Sequence, residues 1–176
     1  MRAIFFDRDG TLMEDVHYCA DPALVRVFPG VPEALRRLRA AGFGVFIVTN
    51  QSGIGRGLIT MQQYLAVHEE FLRQAGPGLI DGTYYCPDVP GRASARRKPA
   101  PGMLLEAAAE HAIDLSESWM VGDKCADVEC GRRAGTGTIL LLSDLELSGD
   151  RRRHLCRPDF NCRNAVEAMD WIGAQR

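Results

Sequence analysis

Two aspartates one residue apart begin the segment Asp7-Arg8-Asp9-Gly10-Thr11. Three further polar groups follow: Thr49-Asn50-Gln51-Ser52-Gly53, Arg97-Lys98-Pro99, and Gly122-Asp123-Lys124, with Asp127 four residues after Asp123. The set suits phosphoryl transfer. A carboxylate that attacks phosphorus forms an aspartyl-phosphate and splits one hard hydrolysis into two easier steps. Asp7 is placed for that attack. Asp9 points to the same side if the chain stays extended, where it can protonate the leaving oxygen and later take a proton from water. Carboxylates this close repel one another and a phosphate unless a cation intervenes. Magnesium suits such an oxygen site, with Asp7 and Asp123 as side-chain ligands and the Asp9 carbonyl as a further one. Thr49 is expected to donate to a phosphoryl oxygen, and Lys98 to neutralise charge in the transition state. Asp127 is expected to orient Lys98 or to support the metal shell.

Each motif has a blander reading. Asp-Gly is commonly a turn, a strand-terminal Thr a satisfied hydroxyl, and Gly-Asp the start of a loop. What distinguishes these is where they fall. Ala3–Phe6 predicts a short buried strand that runs into Asp7, and Gly44–Thr49 a second that ends on the Thr-Asn group. Val31, Ala34, Leu35 and Leu38 recur at helical spacing between them, with Pro32 near the start and Gly42 past the end. Thr60 and Gln63 form a capping box for a helix expected to bury Met61, Tyr64, Leu65, His68, Phe71 and Leu72 on one face. His68 in that stripe reads as a packed histidine. Strands over residues 81–86, 119–121 and 138–142 alternate with helices over 103–112, 126–134 and 165–172. Such alternation predicts a mainly parallel sheet covered on both faces, whose ligands gather beyond the carboxyl ends of the strands. The polar groups fall at those ends.

Bulk properties narrow the field. The 176 residues, 46% hydrophobic and 25% charged with a net charge of −2, fit one globular domain over residues 1–176. Nothing in the overall charge suggests a nucleic-acid or anionic-membrane partner. The Arg151-Arg152-Arg153 run reads as a solvated face. There is neither a signal-peptide pattern nor a stretch of about 20 apolar residues, so a cytoplasmic location is expected. The six cysteines (Cys19, Cys86, Cys125, Cys130, Cys156, Cys162) show no CxxC pair and read as reduced thiols.

The four motifs in order, DxDGT, strand-terminal Thr-Asn, a lysine before a helix, and GDxxxD, resemble the haloacid dehalogenase superfamily. The resemblance implies an aspartyl-phosphate mechanism, magnesium, and a capless Rossmannoid three-layer α/β sandwich with a mainly parallel central sheet. Further segments, including Asp81-Gly82, Tyr84-Tyr85-Cys86-Pro87, Pro101-Gly102-Met103 and Met120-Val121-Gly122-Asp123-Lys124, resemble the subgroup of heptose bisphosphate and histidinol-phosphate phosphatases, from Arg2 to Ile172. The short spacings between motifs leave no room for an inserted cap, so an open site and a small phosphorylated metabolite are expected. The likeness implies substrate contacts from Asn50, Gln51, Ser52 and Arg97, with Asp15 and Tyr18 in the first loop and Lys124 in support. A monomer is expected.

One departure stands out. The subgroup binds zinc through Cys-x-His and Cys-x-Cys in the loop before Arg-Lys-Pro, but here Cys86 is followed by Asp88, Ser94 and Arg96 at the other positions. One thiolate and one carboxylate do not make a four-ligand soft site, so zinc is expected to be absent. Heptose 1,7-bisphosphate is the first expectation for the substrate and histidinol-phosphate the second. A signalling receiver fits less well, because its phosphorylated aspartate ends an internal strand and no acid follows two residues later. A phosphometabolite-binding protein without catalysis conflicts with the intact Asp7, Asp9, Lys98 and Asp123.

Overall fold

The structure, a computed structural model, describes residues 1–142 and 156–175. Among these, six parallel strands form one sheet: β1 (Ala3–Phe6), β2 (Gly44–Asn50), β3 (Gly82–Cys86), β4 (Trp119–Gly122), β5 (Gly137–Leu141) and β6 (Phe160–Cys162). Their order is β3-β2-β1-β4-β5-β6. The chain therefore builds outward from β1 to β3, crosses back, and builds outward again from β4 to β6. The reversal falls between β1 and β4, the kind of switch point where α/β sheets bind ligands.

Helices α1 (Val31–Ala40), α2 (Ser52–Gly55), α3 (Met61–Ala75), α4 (Gly102–His111), α5 (Cys125–Ala134) and α6 (Ala165–Ala174) connect or follow the strands. Strand β1 alternates between two cores. Ile4 and Phe6 pack with residues of α1, α3 and α6, while Ala3 and Phe5 pack with residues of α4 and α5. A strand buried on both faces needs a continuous apolar run, which is why the short segment Ala3–Phe6 is apolar throughout. The expected three-layer α/β fold is the one observed.

Details differ from the sequence expectation. Helix α3 starts on the expected capping box, with the Gln63 amide 3.1 Å from Thr60 Oγ1 and the Thr60 amide 2.8 Å from Gln63 Oε1. Its buried face is Tyr64, Val67, Phe71 and Ala75, whereas Met61 and Leu65 are 38% and 52% exposed. The row 64-67-71-75 follows the helical repeat, and positions 61 and 65 lie one row aside. His68 stacks between Tyr64 and Phe71, with ring centroids 5.9 and 5.8 Å away. Helix α2 and strand β6, four and three residues long, are too short for a periodic signal. The expectation of six reduced cysteines is corrected: Cys125 and Cys156 form a disulfide with their Cα atoms 5.4 Å apart. Their separation of 31 residues hides the pairing from any local motif. Cys19, Cys86, Cys130 and Cys162 are free and buried. Arg151–Arg153 lie outside the described residues. No helix among the described residues is long and apolar enough to cross a membrane.

Candidate active site

The β1–β4 seam positions Asp7. The Asp7 amide donates to the Val121 carbonyl at 3.0 Å, so the carboxylate sits at the last rung between the two strands. Beyond it the chain does not stay extended, which corrects the simple alternation expected for Asp9. The Arg8 carbonyl accepts the amides of Thr11, Leu12 and Met13 at 3.3, 3.0 and 3.2 Å, and Asp9 is presented from this tight loop. Two glycines permit the arrangement. Gly10 has φ +86°, and a Cβ there would lie 2.7 Å from Asp123 Oδ2. At Gly122 a Cβ would lie 2.3 Å from the Asp127 carboxyl carbon, so the Gly-Asp pair keeps Asp127 against the end of β4.

Lys98 reaches into the same place from the loop before α4. Its Nζ donates to Asp7 Oδ1 and to the Val48 carbonyl, both at 2.8 Å, and lies 2.6 Å from Asp127 Oδ1. Asn50 holds the backbone of that lysine: Nδ2 donates to the Lys98 carbonyl at 3.0 Å and Oδ1 accepts the Lys98 amide at 3.1 Å. Both ends of the Asn50 amide are thus engaged with Lys98. Thr49 Oγ1 lies 3.4 Å from Asp9 Oδ2, and Gln51 Nε2 donates to both, at 2.9 Å to Thr49 and 2.8 Å to Asp9.

A cavity of about 340 Å³ joins these groups, lined by Asp7, Asp9, Asp15, Tyr18, Thr49, Asn50, Gln51, Ser52, Arg97, Lys98, Lys124 and Asp127. His17 and Cys19, which no motif flagged, also line it. Asp123 borders an adjoining cavity of about 720 Å³ with Gly10 and Thr11, and the rest of that lining is mostly apolar. The smaller space holds both Asp7 and Lys98, and we place the chemistry there. Lys124 Nζ stands 3.6 Å from Asp15 and 3.7 Å from Asp123. Arg97 donates through Nη1 to the Asp88 carbonyl at 2.8 Å. Tyr18 adopts a left-handed backbone, φ 57°, with its ring packed against Gly53.

The charges are unevenly compensated. Burial opposes ionisation of Asp7, but Lys98 and Lys124 outweigh it and hold the carboxyl below its ordinary range. Burial likewise opposes the Lys98 charge, and Asp127 and Asp7 outweigh it and raise the ammonium pKa. Asp123 fares differently: burial and the charge of Asp7 push it up to about 7. Oxygen atoms of Asp7, Asp123 and Asp127 lie within 4.8 Å of one another. This all-oxygen group with excess negative charge fits a hard divalent cation such as magnesium.

The loop after β3 gathers a different set. Cys86 Sγ lies 3.4 Å from Asp88 Oδ2 and 3.7 Å from Ser94 Oγ, and Arg96 pairs with Glu106 at 3.1 Å. Burial pushes the Cys86 thiol up. Ser94 Oγ accepts the amides of Arg96 and Arg97 at 3.2 and 3.0 Å.

Family models match both halves of the chain. Residues 4–67 match the family described as haloacid dehalogenase-like hydrolase, and residues 95–168 match the one described as HAD-hydrolase-like. The chain is 36% identical to the D-glycero-D-manno-heptose-1,7-bisphosphate 7-phosphatase of Thermosynechococcus vestitus, over 97% of this chain and 94% of that protein. It is 42% identical to the D-glycero-beta-D-manno-heptose-1,7-bisphosphate 7-phosphatase of Yersinia pestis, over 80% of this chain and 79% of that one. Among solved structures, the D,D-heptose 1,7-bisphosphate phosphatase of B. bronchiseptica, complexed with magnesium and phosphate, superposes with a TM-score of 0.84 at 29% identity, covering 98% of both chains.

Proposed function

Because the chain belongs to the haloacid dehalogenase-like hydrolases and is a phosphoric monoester hydrolase, we propose that it removes the 7-phosphate of a D-glycero-D-manno-heptose 1,7-bisphosphate. The observation that carries this reading is the buried Asp7–Lys98–Asp127 cluster at the switch point of the sheet, opening into a small polar cavity. Substrate identity draws its support from the relatives.

In this reading an Asp7 oxygen attacks phosphorus. The bond to the sugar oxygen breaks, and Asp9 gives that oxygen its proton. Water then attacks the phosphoryl group on Asp7, passes a proton back to Asp9, and frees phosphate and the Asp7 carboxylate. Thr49 and Lys98 donate to the phosphoryl oxygens through the transfer. Asp127 fixes the Lys98 ammonium, and Asn50 fixes its backbone. Gln51, Ser52, Arg97, Asp15, Tyr18 and Lys124 surround the sugar end. Asp7, Asp123 and the Asp9 carbonyl would hold magnesium, which supplies positive charge to the phosphate oxygens. We take the Cys86 loop to be zinc-free, a reading supported by its donor set of one thiol, one carboxylate and one hydroxyl. We take residues 1–176 as one catalytic domain acting as a cytoplasmic monomer, without nucleic-acid or membrane partners.

Kinetics on heptose 1,7-bisphosphate and histidinol-phosphate with magnesium test the substrate. A preference for histidinol-phosphate of about tenfold or more in kcat/KM, about 1.4 kcal/mol in transition-state binding, overturns the heptose assignment. An Asp7→Asn protein that kept full turnover would remove Asp7 as nucleophile.

A further inference from the structure

Between Asp7 and Asp9 lies a side chain that the mechanism above does not use. Arg8 is 1% exposed and is the largest of the fully buried side chains. Its Nε donates to Asp9 Oδ2 at 3.2 Å and its Nη2 to Asp9 Oδ1 at 3.1 Å, a two-bond fork on one carboxylate. The guanidinium carbon lies 5.4 Å from the centroid of the Tyr64 ring, which α3 buries beneath it. The Arg8 carbonyl meanwhile anchors the loop through three amides. The side chain is therefore held at both ends.

Burying a guanidinium is costly unless the pairing is good, and a solvated arginine would serve solubility equally well. Here the charge is placed where it can act on Asp9. Thr49 of β2 and Gln51 just past its end reach Asp9 Oδ2, so donors from two directions fix the plane of the carboxylate. Asp7, two residues earlier, is held instead by Lys98. Each carboxylate of the pair thus has its own cation, and the two are kept in separate orientations.

We propose that Arg8 is the positioning residue for Asp9: its fork orients the carboxyl group that, when protonated, hands its proton to the leaving oxygen. This rests on the assignment of Asp9 as the acid–base group. Proton transfer needs the donor oxygen within about 2.6–3.2 Å of the leaving oxygen. Displacement of a reacting group by about 1 Å costs on the order of a hundredfold in rate. An alkyl leaving group needs that proton, because an alkoxide is a poor leaving group. An aryl group such as p-nitrophenolate leaves without it.

The test compares kcat/KM, which reports only the steps up to departure of the leaving group, for the best alkyl phosphate substrate and for p-nitrophenyl phosphate in the wild type, Arg8→Met and Arg8→Lys. The expected result is a selective loss of kcat/KM on the alkyl phosphate, about a hundredfold for Arg8→Met, with the aryl value largely kept. Arg8→Lys keeps the charge without the fork and should fall between. The ratio of the two rates within one preparation does not depend on the folded fraction, so partial misfolding cannot imitate the result. Equal losses on both substrates, or no loss on either, overturn the proposal. Asp9→Asn is measured alongside. If it too loses both rates equally, the acid–base assignment of Asp9 has failed. If it is selective and the Arg8 variants are not, only the positioning role has failed.

Discussion

Lys98 and Asp7, 91 residues apart in sequence, meet as an ion pair at 2.8 Å with side-chain exposures of 2% and 7%. Asp127 closes on the same ammonium from the other side. Lys98→Met would leave both carboxylates buried without their cation. Breaking a buried pair in this way costs about 3–5 kcal/mol. Urea unfolding in a chelator should show that loss, and added magnesium should recover part of it by binding the native state. Turnover should fall by about a hundredfold or more. An unchanged unfolding midpoint would show that Asp7 and Asp127 find another partner.

Asp123 predicts how metal binding depends on pH. Its carboxyl, raised to about 7 by burial and Asp7, keeps in the folded chain a proton that an ordinary carboxylate releases near 3.8. In metal-free protein its contribution to stability is therefore full at low pH and is lost as pH rises through about 7. Magnesium has to displace that proton. Apparent magnesium affinity, measured calorimetrically, should rise about tenfold per pH unit below neutrality and level off above it. Asp123→Asn should weaken binding and flatten the profile. An affinity identical at pH ~5.5 and ~7.5 in the parent protein would contradict this account.

His68 makes a separate acid-side prediction. Burial, and then the charge of Arg8, lower its pKa from 6.5 to about 4. The folded chain prefers the neutral ring, so the associated stability is present above the unfolded value and is lost as pH falls from about 6.5 towards 4. The loss is on the order of 3 kcal/mol. His68→Phe keeps the stack with Tyr64 and Phe71 without the titration. Unfolding free energies of the two proteins should diverge in the parent's disfavour across that window. Parallel curves would mean that His68 takes up its proton without penalty.

The disulfide is checked by counting thiols. Alkylation of denatured, unreduced protein should label four cysteines, and reduction beforehand should raise the count to six. Tryptic mapping should find Cys125 and Cys156 as the added pair. Six labels without a reductant would remove the cross-link.

The candidate site was legible because Asp7, Thr49, Lys98 and Asp123 each sit where a strand ends or a helix is about to begin, positions that apolar periodicity and glycine breaks mark locally. What lay hidden depended on through-space neighbours. Asn50 looks like a ligand contact in sequence, yet both ends of its amide meet the Lys98 backbone 48 residues away. Arg8 looks like the variable residue of a DxD motif, because its significance needs the ring of Tyr64 beneath it and the loop that turns Asp9 onto it. The Cys125–Cys156 link and the three-residue β6 likewise carry no periodic signature. On α3 the stripe was drawn one row wide of the true face, since Met61 and Leu65 are apolar but face outward.

The placement of β1 in mid-sheet, paired to β2 on one side and to β4 on the other, has a consequence for biosynthesis. Asp7 leaves the ribosome ahead of β2, while β4, Asp123 and Asp127 emerge more than a hundred residues after it. At about 5–20 residues per second, the interval is roughly 6–24 seconds. Throughout that time β1 can pair with β2 but has one open edge, and Asp7 lacks the carboxylates with which it would share a cation. The nascent chain is therefore expected to be catalytically silent until Asp123 and Asp127 have been made, and to acquire metal affinity only when β4 docks beside β1.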